Sequence, residues 1–448
     1  MAIAAAGLAL RLAAARGGLW LDEAWSAAFA ADVGTPLGVF LNIHHDNNHH
    51  LNTLWLQSVG IDAPSIVQRG LSIVSGTIAI IVAALIVAPR GHAAAIIAAT
   101  LFAVSPILVT YGSEARGYAP MVLALLIVIL IVDRWLAAPR ERPLAVALAI
   151  VCLLGTLAQM TFVFGLCAVV GWILLRRWRE EGLRTAMIDT VRIAGLPIAV
   201  TLGTIGAVIR WLPGPDGFKV GSYFAFTFRD LYVGQVEMLS YTLGLPIGVG
   251  WLLPVLGLAL IIAAMRPALG SRRQFYLLAM IGVPLGCSIL QLGNVAIARY
   301  FLAGSIVMLL MLAETAAIAL ARPGRWRVGA IVTLVAFLVG ATWHDVRLLG
   351  DRRADPSTAI ALMRSRAPDG ATVSLDRARA APVIDVAAAQ GGYRARIAPC
   401  GRFLFVDRDG TETFPAMPVR CGIRYRPIGH AAPDGLSGSH WTLYERRP

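Results

Sequence analysis

Long, nearly unbroken apolar runs dominate the first three quarters of the chain, each too long for a strand and bounded by short polar segments. A helix needs roughly 20 apolar residues to cross a bilayer, and backbone exposed to lipid must pair within its own segment, so runs of this length imply helices. Eleven runs qualify, near residues 1–16, 67–88, 93–110, 117–136, 143–158, 160–176, 192–212, 243–265, 274–293, 300–321 and 326–343. The first is Ala-rich, short and interrupted by Arg11. It is expected to be an uncleaved anchor rather than a signal peptide cut near Ala13 to Ala15, because polar residues of chemical interest follow at once. From about residue 344 the pattern changes to strand-length apolar stretches (Thr372–Leu375, Arg402–Val406, Trp441–Tyr444) separated by Gly, Pro and Asp. No repeat of 20 to 50 residues is visible. The expected fold is therefore an all-α polytopic membrane protein of about 11 transmembrane helices over 1–343, with a first outer loop at 17–66, followed by a small soluble α/β domain over 344–448.

Composition agrees with lipid as the solvent: 57% of the 448 residues are hydrophobic and 15% charged, with a mean hydropathy of +0.70. The formal net charge of +13 would suggest a nucleic-acid partner in a soluble protein. Here the basic residues concentrate between apolar runs, which excludes that reading and orients the chain. Arg90; Arg134, Arg140 and Arg142; Arg176, Arg177, Arg179, Arg184 and Arg192; Arg266, Arg272 and Arg273; and Arg322, Arg325 and Arg327 all fall on one side, the cytoplasmic one. The other side receives 17–66, the turn from Tyr111 to Arg116, the turn near Gln159, the loop 213–242, the turn from Leu292 to Arg299, and everything after 343. Cys152, Cys167 and Cys287 sit in apolar runs as small core residues, while Cys400 and Cys421 form a candidate disulfide in the polar tail. Such a bridge suits an oxidising compartment, so a bacterial inner membrane with the C-terminal domain in the periplasm is expected.

Most candidate chemistry faces outward. Asp22 and Glu23 lie between Trp20 and Trp25 where the first run ends. A carboxylate partly desolvated beside a membrane is suited to general-base work, whereas solvated acids at a helix boundary would be idle. Four of the eight histidines follow, His44, His45, His49 and His50. If 45–52 is helical, His45 and His49 share a face and, with Asp46 or Asp22, could ligate a divalent cation; otherwise they bond a polar substrate or solvate the loop. The segment Thr53–Gly60 reads as a short amphipathic helix along the interface. Glu114 and Arg116 stand at the start of a spanning run, where ionisable groups are costly. They either form an anchoring ion pair, or Arg116 grips a phosphate while Glu114 orients a sugar or Arg116. Arg299 and Tyr300 repeat the theme at another outer mouth, and two arginines at one depth suggest one anionic ligand. Arg210 with Trp211, and Lys219, are lesser candidates, since basic residues commonly snorkel at helix ends.

These residues resemble the polytopic glycosyltransferases of the GT-C superfamily, in the branch of lipid A aminoarabinose transferase and the protein O-mannosyltransferases. The resemblance rests on the acidic pair Asp22 and Glu23, the His-led segment His49-His50-Leu51, the Ser-Glu-Ala-Arg-Gly-Tyr turn from Ser113 to Tyr118, and the late Arg299-Tyr300, in that order. It covers roughly 17–320 and is most specific up to about 136. His49-His50-Leu51 departs from the His-Pro-Pro that commonly leads the second motif, and the tail carries no motif tied to a named acceptor.

The resemblance implies a hexosyl- or pentosyltransferase that takes a sugar from a polyprenyl-phosphate donor and transfers it, with inversion, to a glycan, lipid or protein acceptor at the periplasmic face. It implies Asp22 and Glu23 as catalytic carboxylates, and Glu114, Arg116, Tyr118, Arg299, Tyr300, His49 and His50 as substrate-binding residues. No cofactor is required, though a divalent cation is compatible with His45, His49 and Asp46. The rival functions are a transporter or flippase of a lipid-linked glycan, which should carry ionisable groups near the midplane, and an oligosaccharide ligase, which differs in substrate length.

Overall fold

The computed structural model describes residues 1–139, 144–212, 218, 224–246, 257, 260, 265, 267–270, 272–410 and 412–446. Among these, five helices are long and apolar enough to cross a membrane: Gly70–Arg90, Tyr118–Ala137, Leu183–Trp211, Ala298–Leu320 and Arg325–Asp351. Shorter apolar helices, Ala2–Ala14, His92–Val104 and Ala145–Ala158, accompany them, and Phe162–Glu181 begins apolar and ends in charge. The chain is thus a multi-pass membrane protein. A single apolar core threads these helices, from Ala4 and Ile80 through Phe102, Leu125 and Trp172 to Leu309 and Phe337.

Several boundaries differ from the sequence expectation. The run 93–110 is two helices, His92–Val104 and Pro106–Tyr111, because Pro106 lacks the N–H that would continue the ladder. Arg11 meets that break. Buried in the first helix, it donates to the carbonyls of Phe102 (3.0 Å) and Ala103 (3.1 Å), so the residue that interrupts the first run satisfies backbone groups of another. Part of the stretch expected as an outer loop at 213–242 is a helix, Phe228–Leu243, started by Thr227 Oγ1 accepting from Asp230 N at 3.0 Å. The last long helix runs to Asp351, past the boundary at 343. Most of the run expected at 243–265, together with Lys219, lies outside the described residues.

At one end of the bundle Arg272 donates to Asp133 (3.0 and 2.6 Å) and to Glu314, which Arg90 also approaches at 3.2 Å. Arg90 and Arg272, assigned to one side by charge counting, therefore do meet.

The segment 17–66 folds into short helices, chiefly Leu21–Asp32 and His50–Val59. The tail forms a six-stranded sheet of β1 (Ala371–Leu375), β2 (Ala395–Ile397), β3 (Phe403–Arg408), β4 (Val419–Arg420), β5 (Ile423–Ala431) and β6 (His440–Arg446), in the order β2-β1-β3-β6-β5-β4. β1 is parallel to β2 and β3, and the remaining pairs are antiparallel. Helices Ser357–Arg366 and Ala381–Gly391 cover one face, and Cys400 and Cys421 are joined in a disulfide. The core under those helices is shared: Leu19, Ala24, Ala27, Ala30 and Leu56 of the outer segment, and Ala115, pack with Ile360, Val373, Ile384, Phe405 and Trp441.

Candidate active site

Three separate stretches converge where the outer segment meets the helix mouths. Asp22 lies in the first turn of helix Leu21–Asp32. Its Oδ2 accepts from Arg116 Nη1 at 2.6 Å and lies 3.2 Å from Arg299 Nη1. Burial would raise the pKa of this carboxyl, but the two guanidiniums outweigh it and hold Asp22 below the ordinary carboxylate range. Arg116 stacks near Trp20 (5.9 Å) and Tyr118 (5.0 Å), and Arg299 lies 6.0 Å from the Tyr300 ring. The Nε of each arginine is buried without a hydrogen-bond partner. The centre is thus two cations on one carboxylate oxygen, edged by aromatic rings.

His49 belongs to this centre and His50 stands behind it. Arg116 Nη2 is 3.1 Å from His49 Nε2. A guanidinium only donates, so that nitrogen is the acceptor, while Nδ1 lies 3.3 Å from both the Ala158 carbonyl and the Gly117 backbone N–H. Burial first, then Arg116, keeps His49 well below the usual imidazole range. His50 is stacked on Phe40 at 5.4 Å, and burial pushes it down to about 4.

The helical condition on which His45 and His49 were expected to ligate a cation together is not met. Helix begins only at His50, so His45 and His49 do not share a helical face. His45 pairs with Asp46 at 3.3 Å in an exposed position, while His49 turns its nitrogens to Arg116 and a carbonyl. Among the described residues no group of three or more His, Cys, Asp or Glu converges.

The acidic neighbours have other partners. Glu23, fully buried, takes a two-pronged ion pair from Arg69 (2.8 and 2.6 Å) and accepts from the backbone N–H of Ala115 (2.6 Å) and Trp20 (3.2 Å). Burial opposes its ionisation, and Arg69 overcomes that, leaving Glu23 below its usual range. With both oxygens occupied it has no lone pair to spare for an acceptor proton, so the structure separates the two carboxylates that the sequence grouped. Glu114, also fully buried, faces Arg353 at 3.6 Å rather than Arg116. Burial and the nearby Glu23 raise its pKa against the pull of Arg353. It is therefore turned away from the centre in which the sequence placed it as a substrate contact.

The sequence reading passed over Arg69, Arg353 and Glu237. Arg69 is one more arginine at the start of a spanning run, the same signal that marked Arg116 and Arg299. Glu237 accepts from Ala298 N at 3.4 Å, beside Arg299, from a helix expected as loop. Gly117 also matters: a Cβ there would lie 1.7 Å from the Ala158 carbonyl, so only glycine allows the turn to bring Arg116 and His49 together.

Beside Phe301, just past Arg299 and Tyr300, an apolar cavity of about 380 Å³ opens between helices Phe228–Leu243 and Leu302–Leu320 and the stretch 279–288. Leu231, Met238, Met280 and Met308 line it.

No family model and no curated protein sequence matches the chain. Solved structures do. The apo form of the Archaeoglobus fulgidus oligosaccharyltransferase aligns over 88% of this chain and 64% of its own length, at 13% identity and a TM-score of 0.50. The same protein in complex with zinc and sulfate aligns over 90% and 68%, at 12% identity and a TM-score of 0.51. The chain thus spans just under two thirds of the apo structure's length. What it shares with that archaeal protein is the fold.

Proposed function

We propose that this protein is a membrane glycosyltransferase that moves a sugar from a polyprenyl-phosphate donor to an acceptor hydroxyl, with inversion, at the periplasmic face of a bacterial inner membrane. The carrying observation is the pair of guanidiniums on one oxygen of Asp22. Two arginines with unpartnered Nε groups, and an apolar cavity that reaches Phe301 two residues past Arg299, suit a ligand that is anionic at its head and hydrocarbon behind it. In the resting chain Asp22 stands where the phosphate would be held. When the phosphate takes over Arg116 and Arg299, Asp22 loses the cations that depress its basicity and becomes able to accept a proton. It then takes the proton of the acceptor hydroxyl as that oxygen bonds to the anomeric carbon. The bond from the anomeric carbon to phosphate oxygen breaks, and the lipid phosphate leaves with its electron pair, its charge balanced by the arginines.

Glu23 and Glu114 act through others in this scheme, and His49 as a neutral acceptor orients Arg116. Tyr118 and Tyr300 back the guanidiniums. The archaeal protein was solved with zinc and sulfate; here the charge on the leaving group falls to Arg116 and Arg299, which share Asp22 as their carboxylate partner. The aminoarabinose and O-mannosyl branch is the expected relation. Its hexose or pentose donor and its glycan, lipid or protein acceptor are for the assay to name.

The test is transfer of radiolabelled sugar from a panel of synthetic polyprenyl-phosphate sugars to a membrane extract. Asp22→Asn and Arg116→Ala should each reduce transfer at least about 100-fold in folded, inserted protein. Full transfer by Asp22→Asn would remove the proposed base. Lipid binding without turnover, unaffected by Asp22→Asn, would instead favour a flippase.

A further inference from the structure

Between the last long helix and β1 the backbone does something a simple linker would avoid. Arg352, Arg353 and Ala354 are three consecutive non-glycine residues in the left-handed region, with φ of 44°, 55° and 55°. Each costs roughly 1–2 kcal/mol, and such strain persists only where the surroundings over-determine it. The reversal drives Arg353, 1% exposed, into the outer end of the membrane helices.

There its guanidinium meets four elements. Nη1 donates to the Ala14 carbonyl at 2.7 Å, at the end of the first helix. Nη2 donates to the Thr110 carbonyl (3.0 Å) and Ser113 Oγ (2.7 Å), Nε donates to Ser437 Oγ (3.2 Å), and Glu114 lies 3.6 Å away. Two residues on, Asp355 Oδ1 accepts from Gly18 N at 2.7 Å, and from the same domain Ser439 Oγ accepts from Leu21 N at 3.0 Å.

Apart from that to Ser437, these contacts fall on the two pieces of chain that lead to Asp22 and Arg116. The turn 110–116 ends in Arg116, and the turn 14–21 leads directly into Asp22. Glu23 and Ala115, one residue beyond Asp22 and one before Arg116, are themselves joined at 2.6 Å. Glu23, Arg69, Glu114 and Arg353 form a buried set of two acids and two bases with no net charge.

We propose that Arg353 is a positioning residue: it ties the C-terminal domain to the turn carrying Arg116, so that the Asp22–Arg116 geometry exists only with that domain in place. This inference rests on the transfer reaction proposed above. The competing account is that Arg353 only neutralises buried Glu114. The two differ in what Glu114→Gln can repair. In the double variant Glu114→Gln/Arg353→Gln both charges are gone and the set stays neutral, yet the fork to Ala14, Thr110 and Ser113 is lost.

The experiment uses the full chain in nanodiscs, with kcat and donor KM for sugar transfer and amide exchange over 110–117 as readouts. The double variant should show kcat lowered at least about tenfold with donor KM within about twofold, and exchange over 110–117 at least about tenfold faster. Wild-type kcat and exchange in that variant would overturn the proposal and leave Arg353 as a counter-charge. Should the double variant fail to fold, Arg353→Lys carries the same comparison, because it keeps the charge beside Glu114 without the fork; full kcat in it would overturn the proposal equally. If the wild type transfers sugar from no donor, the transfer reading falls, while the exchange rates still decide whether Arg353 holds the turn.

Discussion

At the scale of single residues, one oxygen of Asp22 holds two cations together. Two buried guanidiniums would repel each other, and the carboxylate between them makes the pair tolerable. The same cations hold Asp22 below the ordinary carboxylate range, while burial and Arg116 hold His49, and burial holds His50, below the usual imidazole range. For Asp22, a depressed folded pKa means that its contribution is in place above the unfolded value of about 3.8 and is lost only as pH falls through the lower folded value. Neutral histidines have no proton to lose between pH 5 and 8. The expected kcat/KM profile, which reports the free enzyme, is therefore flat from pH 8 down to pH 5. An acid limb centred near pH 6 to 7 would show that an imidazole of the site, or one of the buried carboxyls held above the ordinary range, Glu114 or Glu237, titrates there. Asp22, Arg116 and Arg299 were legible as candidates because ionisable groups at helix mouths are costly and uncommon. The different fates of Asp22 and Glu23 were not legible, since adjacent residues on a helix face directions about 100° apart and only the neighbours decide what each one meets.

At the scale of elements, breaks in the helices make the contacts. Pro106 ends the ladder beside two carbonyls, those of Phe102 and Ala103, to which the buried Arg11 guanidinium donates. Leaving a buried carbonyl without its donor typically costs about 1–3 kcal/mol, so Arg11→Met should lower thermal stability in detergent markedly. An unchanged melting profile would mean that water reaches those carbonyls. The turn after Tyr111 makes a sharper case. Gly117→Ala sets a methyl against the Ala158 carbonyl at 1.7 Å, which only a backbone shift can relieve. Since that shift would move Arg116 away from Asp22, the variant should fold less stably and lose transfer at least about tenfold. Retained transfer would show that the Ala158 turn can give way. Sequence reading missed the helix Phe228–Leu243 because its polar residues, Arg229, Asp230, Gln235 and Glu237, broke the apolar run on which spans were recognised. β5 was missed for a related reason: Arg424, Arg426 and Pro427 do not alternate as a half-buried strand should, and the register shifts between Pro427 and Gly429.

At the scale of the whole molecule, charge collects at both ends of the bundle. Arg90, Asp133, Arg272 and Glu314 close one end, while Asp22, Arg116, Arg299 and the Glu23–Arg69 pair occupy the other. The C-terminal sheet shares its core with the outer segment, so loosening the sheet should be felt at the site. The Cys400–Cys421 bridge spans a sequence separation of 21 residues, for which loop-closure entropy gives about 3 kcal/mol. Cys400→Ser/Cys421→Ser should lower the apparent Tm by roughly 2–8 °C at a fixed scan rate, and reductant should do the same to the wild type but nothing further to the variant. Equal Tm with and without the bridge would mean that the reduced chain is already held by its sheet.

What the sequence by itself determined follows from the length of its apolar runs, from where its arginines lie between them, and from the change to strand-length segments after the last run. Those patterns are local, and bilayer thickness and backbone hydrogen bonding leave them a single outcome: a multi-pass helical protein with a sheet domain at its end. The order of short motifs was also sequence information, enough to bring Asp22, Arg116, Arg299 and His49 under suspicion together. Only the tertiary structure decided which acid faces the arginines, that His49 turns Nε2 to Arg116, and that Arg353 reaches back across more than 200 residues to Thr110, Ser113 and Glu114. Each of these depends on contacts between segments far apart in the chain, and no periodicity or spacing within one segment encodes the partner that burial will supply.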